Sequence, residues 1–169
     1  MKQKGFTLLE LCISLLVIFI LYGVLSFYLG RLAESSERAA VYGVLGQLQQ
    51  QISLKLARYY IAGTPHEAEA MINQNPFTWM PETLANYGGE ISDANEVKEG
   101  FWYFDPTERQ MVYFLQRNEF LRVEELPSKE LKFMLKLTGV SADNIGSTHS
   151  YGVKIDPVKP FTWDFKSSY

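Results

Sequence analysis

The hydrophobic pattern of this chain changes period along its length. From Leu11 to Gly30 there are 20 residues without a charge. As a helix rising ~1.5 Å per residue this run is about 30 Å long, enough to cross the hydrocarbon of a bilayer. Beyond it, Val41, Leu45, Leu48, Ile52, Leu56 and Tyr59 recur at helical intervals, with Gln47, Gln49, Gln50, Lys55 and Arg58 between them as a solvated face. The spacing predicts one helix that continues past the apolar run, packs its stripe on a sheet and ends near Ala62-Gly63. Gly43 and Gly46 each cost such a helix roughly 1 kcal/mol unless something packs closely on them.

After residue 63 the pattern breaks up. Thr64-Pro65-His66-Glu67 predicts a new helix start, with Thr64 as N-cap, Pro65 in the first position and Glu67 completing a capping box. That short helix runs to about Gln74 and is ended by Asn75-Pro76. Phe77 to Gly89, punctuated by Pro81 and Gly88-Gly89, reads as an irregular crossing. Phe101-Trp102-Tyr103-Phe104 predicts a strand that turns at Asp105-Pro106-Thr107-Glu108 and returns from Gln110 to Arg117. Leu131, Phe133, Leu135 and Leu137 alternate with Lys132, Met134 and Lys136 as a half-buried strand. A loop from Gly139 to Ser150 precedes two closing strands, Tyr151 to Ile155 and Phe161 to Phe165. The fold class is α+β: a long N-terminal helix laid on an antiparallel β-sheet head. Pro76-Phe77-Thr78-Trp79 recurs as Pro160-Phe161-Thr162-Trp163, too short a match for a repeat architecture.

The flanks of the apolar run orient it. Lys2 and Lys4 precede it without an acid, whereas Arg31, Glu34, Glu37 and Arg38 follow it without net charge, which puts the N-terminus in the cytoplasm and the head outside. A removable signal peptide cut near Ser26 is a poor fit, because Phe27, Tyr28 and Leu29 prolong the apolar run past it. A lipoprotein is excluded by Leu9-Glu10-Leu11, which puts no small residue before Cys12. A plain anchor explains everything except Glu10. An ionised carboxylate one turn into the run costs roughly 2–4 kcal/mol near lipid and calls for a cationic partner at the same depth. Cleavage after Gly5 would supply one, the free α-amino group of Phe6 on a neighbouring copy.

Met1-Lys2-Gln3-Lys4-Gly5-Phe6-Thr7-Leu8-Leu9-Glu10-Leu11 resembles the start of type IV prepilins, the family that includes type II secretion pseudopilins. The match is residue by residue over a basic leader ending in Gly, the Phe-Thr-Leu-Leu-Glu-Leu motif and the apolar helix, and it covers the first 30 or so residues. The resemblance implies a leader 1–5, a transmembrane and filament-core helix 6–30, its amphipathic continuation 31–62 and a globular α+β head 63–169. It implies cleavage between Gly5 and Phe6 by a prepilin peptidase, N-methylation of Phe6, and assembly guided by Glu10. It further implies an inner-membrane assembly platform, membrane lipid and other pilin or pseudopilin subunits as partners, and passage from the bacterial inner membrane, head periplasmic, into a filament. Many members have a proline midway along this helix. Here Gly23 and Gly30 are its only weak points.

Composition narrows the chemistry. A formal charge of −3 leaves no basic stripe for nucleic acid. Cys12 is the single cysteine, so neither an intrachain disulfide nor a Cys-based zinc site is available. His66 and His149 have no second ligand at metal spacing, and there is no nucleophile-elbow or phosphate-loop motif. Glu96, Glu99 and Glu124-Glu125 read as solvated faces. Asp143, Asn144, Asp156 and Asp164 carry oxygens of the kind calcium takes, but without EF-hand spacing, and Asp143-Asn144 equally suits a turn. Trp79, Trp102 and Trp163 fit core packing better than a sugar site. No catalytic residue, metal or cofactor is expected. The reading is a minor pilin or pseudopilin, and Gly100 to Asp105 with Met111 to Phe114 is similar to minor subunits encoded with mannose-sensitive haemagglutinin pili. The alternatives are a minor pseudopilin of type II secretion and, from another class, a membrane-anchored external enzyme or sensor.

Overall fold

The computed structural model describes residues 7–91, 97–123, 129–139 and 151–165. Helix α1 (Leu8–Ala62) is 55 residues long and unbroken, which is about 80 Å at ~1.5 Å per residue. Thr7 opens it, its Oγ1 accepting the Glu10 N–H at 3.3 Å. Gly63 closes it at φ 75°, its N–H donating to the Tyr60 carbonyl, a left-handed cap that a side chain would strain. Neither Gly23 nor Gly30 interrupts the helix. Its first half is bare: none of the residues in its most apolar window is buried. Its second half buries Val41, Leu48 and Ile52 completely.

The head that covers this second half holds seven strands among its described residues. These are β1 (Tyr87–Glu90), β2 (Trp102–Asp105), β3 (Gln110–Phe114), β4 (Leu121–Val123), β5 (Glu130–Thr138), β6 (Gly152–Pro157) and β7 (Phe161–Trp163). A five-stranded sheet runs β1-β2-β3-β5-β6, and β4 and β7 form a separate pair. All pairings are antiparallel except β1 with β2, which is parallel and irregular in register. The alternation along β5 is kept: Leu131, Phe133 and Leu135 face the core. At the centre lies Trp102, with no exposed surface, its ring centroid 5.0 Å from Tyr113, 5.8 Å from Phe133 and 5.9 Å from Phe77.

The head departs from the expected pattern in four places. Thr64 makes no capping bond, so the capping box does not form; a 3-10 turn (Pro65–Glu67) leads into α2 (Ala68–Met71), which stops short of Gln74. Asn75 starts an element rather than ending one: its Oδ1 accepts the Phe77 N–H at 3.1 Å and caps a 3-10 turn, Pro76–Trp79. The segment read as irregular thus contains that turn and β1, and the sheet is mixed. The closing strands also belong to different sheets, because β6 joins β5 whereas β7 pairs with β4.

The face of α1 read as solvated is partly used. Gln49 donates to the Val153 carbonyl and accepts from the Ile155 N–H, both at 3.1 Å. It thereby occupies backbone groups on the free edge of β6, which an uncovered sheet would offer to another chain. Tyr60 does the same at Tyr151, accepting its N–H at 2.6 Å and donating to its carbonyl at 2.9 Å. Lys55 lies 4.1 Å over the Trp79 ring and donates to Gln74 Oε1. By contrast, nothing lies within 4 Å of where a Cβ would stand at Gly43 or Gly46.

Candidate functional site

Two regions of α1 carry charge that a plain anchor or a plain core helix does not need. The first is its opening turn. Glu10 is exposed there, among Leu8, Leu9, Leu11 and Ile13, which are all more than half exposed. The Thr7 cap holds the Glu10 backbone, and Ser14 Oγ donates to its carbonyl at 2.7 Å. The carboxylate has no ion-pair partner among the described residues. Gly5 and Phe6 lie outside the described residues, so the sequence motif is represented by Glu10 and by Thr7, which caps the helix.

The second region is where α1 meets the base of the head. Glu34 and Glu37 are 1% and 9% exposed, and both receive backbone N–H groups from one turn. Glu37 Oε1 accepts from Gln116 at 2.7 Å and from the Tyr113 hydroxyl at 3.1 Å, and its Oε2 accepts from Arg117 at 3.1 Å. Glu34 Oε1 accepts from Phe120 at 2.9 Å, whereas its buried Oε2 has no partner. Two carboxylates thus clamp the 116–120 turn, and charge-assisted bonds of this kind are the strong ones. Arg31 completes the join: its guanidinium donates to the Phe165 carbonyl and sits 5.7 Å from the Phe120 ring. Arg38 lies near the rings of Tyr42 and Phe165.

Burial sets the proton affinities here. Desolvation raises the Glu34 carboxyl above its ordinary range against the lowering effect of the Phe120 and Glu119 N–H groups, with Glu119 and Glu37 adding like charge. Burial, then Glu37, also pushes the Tyr113 hydroxyl up, so it stays a donor. A carboxyl raised on folding favours the folded state fully only below its unfolded pKa, and that contribution is lost as pH rises through the folded value. Glu34→Gln, which keeps an acceptor for Phe120, is therefore expected to flatten this part of the stability profile. Urea unfolding of the wild type and variant between pH 4 and pH 8, with tryptophan fluorescence as the readout, measures the difference in slope.

Sequence reading treated Glu34 and Glu37 only as orientation charges and missed the clamp. The signal was present, because 34, 37, 41, 45, 48 and 52 continue one helical face at steps of three and four, so acids were placed on the core-facing stripe. Other candidates are not brought together. Asp143, Asn144 and His149 lie outside the described residues, as do Glu96, Glu124 and Glu125. Asp156 at the end of β6 pairs with Lys154 at 3.0 Å and Lys136 at 3.4 Å, which hold its carboxyl below the usual range. Asp164 follows β7 in the other sheet. Among the described residues, no group of three or more His, Cys, Asp or Glu is placed to hold a metal ion. Trp102 and Trp163 are core residues. In comparisons with protein-family models, with curated proteins and with solved structures, the chain matches none.

Proposed function

We propose that this chain is a structural subunit, a minor pilin or pseudopilin, of a type IV pilus-like filament, held in the bacterial inner membrane before assembly and packed through its N-terminal helix afterwards. The observation that carries the reading is the placement of Glu10. It stands on the first turn of a continuous helix whose apolar half is bare and whose other half is fixed to a folded head. A bare helix of this kind must be covered, either by lipid or by copies of itself. Only the second cover gives a buried carboxylate a partner, the α-amino group that cleavage after Gly5 creates on Phe6. The open space at Gly43 and Gly46 supports the same reading, since glycines let a neighbouring helix approach closely. The subunit does no chemistry of its own in this account; the prepilin peptidase and the assembly platform act on it.

Glu10→Gln tests this reading in cells that carry the rest of the filament system. The variant keeps the span, so it is expected in the membrane fraction at wild-type level and missing from sheared filaments. A wild-type chain absent from sheared filaments would favour the rival reading, an anchored external domain, and a variant that assembled like the wild type would remove Glu10 from the assembly step.

A further inference from the structure

We propose that the base of the head is a docking surface for anionic phospholipid headgroups, which seats the subunit on the bilayer before it is extracted. The inference rests on the reading of Leu11 to Gly30 as a membrane span and adds a partner for the head itself.

Height comes first. Because α1 is unbroken from Leu8 to Ala62, the position of any later residue above the bilayer follows from the helix rise. With Leu11 to Gly30 in hydrocarbon, Arg31 is the next residue out, and Arg38 stands about 10 Å further along the axis. The headgroup layer is roughly 5–7 Å deep on each side of the hydrocarbon. The Glu34 and Glu37 clamp and the Arg31 bond to Phe165 tie the 116–120 turn and the segment after β7 to this same stretch. The lower edge of the base, at Arg31, Glu34 and Phe120, therefore lies at headgroup depth, with Arg38 and the Glu37 contacts to Gln116 and Arg117 just above it.

Charge follows from which way the side chains turn. In sequence the 31–38 flank is neutral, but Glu34 and Glu37 face inward and accept backbone N–H groups of the 116–120 turn. What is left on the outside is basic. Arg38, Arg117 and Arg122 are exposed and Arg31 half-exposed, against exposed Glu119 and half-buried Asp164 among the described residues. This positive face stands on a chain of formal charge −3. A guanidinium matches a phosphate diester with paired N–H donors. The rings of Phe27 and Phe120 flank Arg31 at 6.0 and 5.7 Å, and aromatic residues favour this depth. A neighbouring subunit's acidic surface would also satisfy the charge, but before assembly the surface that the span itself brings to this height is that of the bilayer.

The test uses the full chain in nanodiscs, with a solvatochromic dye attached at Asn118→Cys in a Cys12→Ser background, and acrylamide as a neutral quencher. Quenching is expected to be about twofold or more weaker in discs containing phosphatidylglycerol than in discs of phosphatidylcholine alone, as cationic side chains are drawn to the anionic surface. Exposed Arg117→Gln and Arg122→Gln together should remove that difference. Equal quenching in both lipids, or a lipid difference that survives the double substitution, overturns the proposal. A second sample carrying the dye at native Cys12 separates the two readings. Protection there in both lipids shows the span inserted, whereas quenching there rejects the span and the docking surface with it.

Discussion

Glu37→Ala is expected to cost the head about 2–4 kcal/mol, because it strips partners from two backbone N–H groups and a buried hydroxyl at once. The Gln116 and Arg117 N–H groups and the Tyr113 hydroxyl all end on this one carboxylate. Water can reach part of the turn, which keeps the loss below the sum of three orphaned donors. Glu37→Gln should recover only part of it: the amide oxygen still accepts from Gln116, but the amide nitrogen opposes the Arg117 N–H with a second donor. Urea unfolding of the detergent-solubilised full chain, followed by tryptophan fluorescence, gives both values. A loss under about 0.5 kcal/mol for the alanine variant, the size of an ordinary surface substitution, would mean that the turn is held by its own packing and that the clamp does not fix the head.

Trp102→Ala should be more damaging to the core, by about 3–5 kcal/mol. The indole has no exposed surface and touches the rings of Phe77, Tyr113 and Phe133, so its removal leaves a cavity that ring-shaped neighbours fill poorly. Domains of this size have about 5–15 kcal/mol in all, so the variant should be partly unfolded at 37 °C and lost to proteolysis in cells. Trp79→Ala is the useful contrast. That ring is half-exposed beside Lys55, and its loss should leave a folded head. Equal urea midpoints for the two variants would contradict the assignment of Trp102 as the centre of the core.

The parts of this fold that could be read from sequence are those in which one local rule decides the outcome. The α1 terminus near Ala62-Gly63 is such a case, because only a glycine sits comfortably in the left-handed cap. Strand β5 is another, since its alternation leaves one face to bury. Tertiary contacts decided the rest. β1 and β4 are four and three residues long, too short for a period, and each exists because a neighbour pairs with it. Thr64 carried a capping pattern, yet its backbone enters a 3-10 turn at an angle that brings no donor to the hydroxyl. Gln49 and Lys55 looked like solvated residues because polarity does not disclose that a free sheet edge or a tryptophan face lies within reach.

The site divides in the same way. Glu10 stands out in the sequence because a carboxylate in an apolar run has no bland explanation, whereas Glu34 and Glu37 stand among other charges and do not. What revealed them was the turn at 116–120, far along the chain, whose N–H groups meet them. A polar residue on a core-facing stripe is the transferable clue: its partner is remote backbone more readily than another side chain.

The central claim is that this helix is a processed filament segment, and the intact mass of the mature chain tests it most directly. The protein is purified from a cell that has a prepilin peptidase and weighed whole. A single species that begins at Phe6 and carries one methyl group on its amine is expected. A chain that still begins at Met1, or one cut near Ser26, would contradict it.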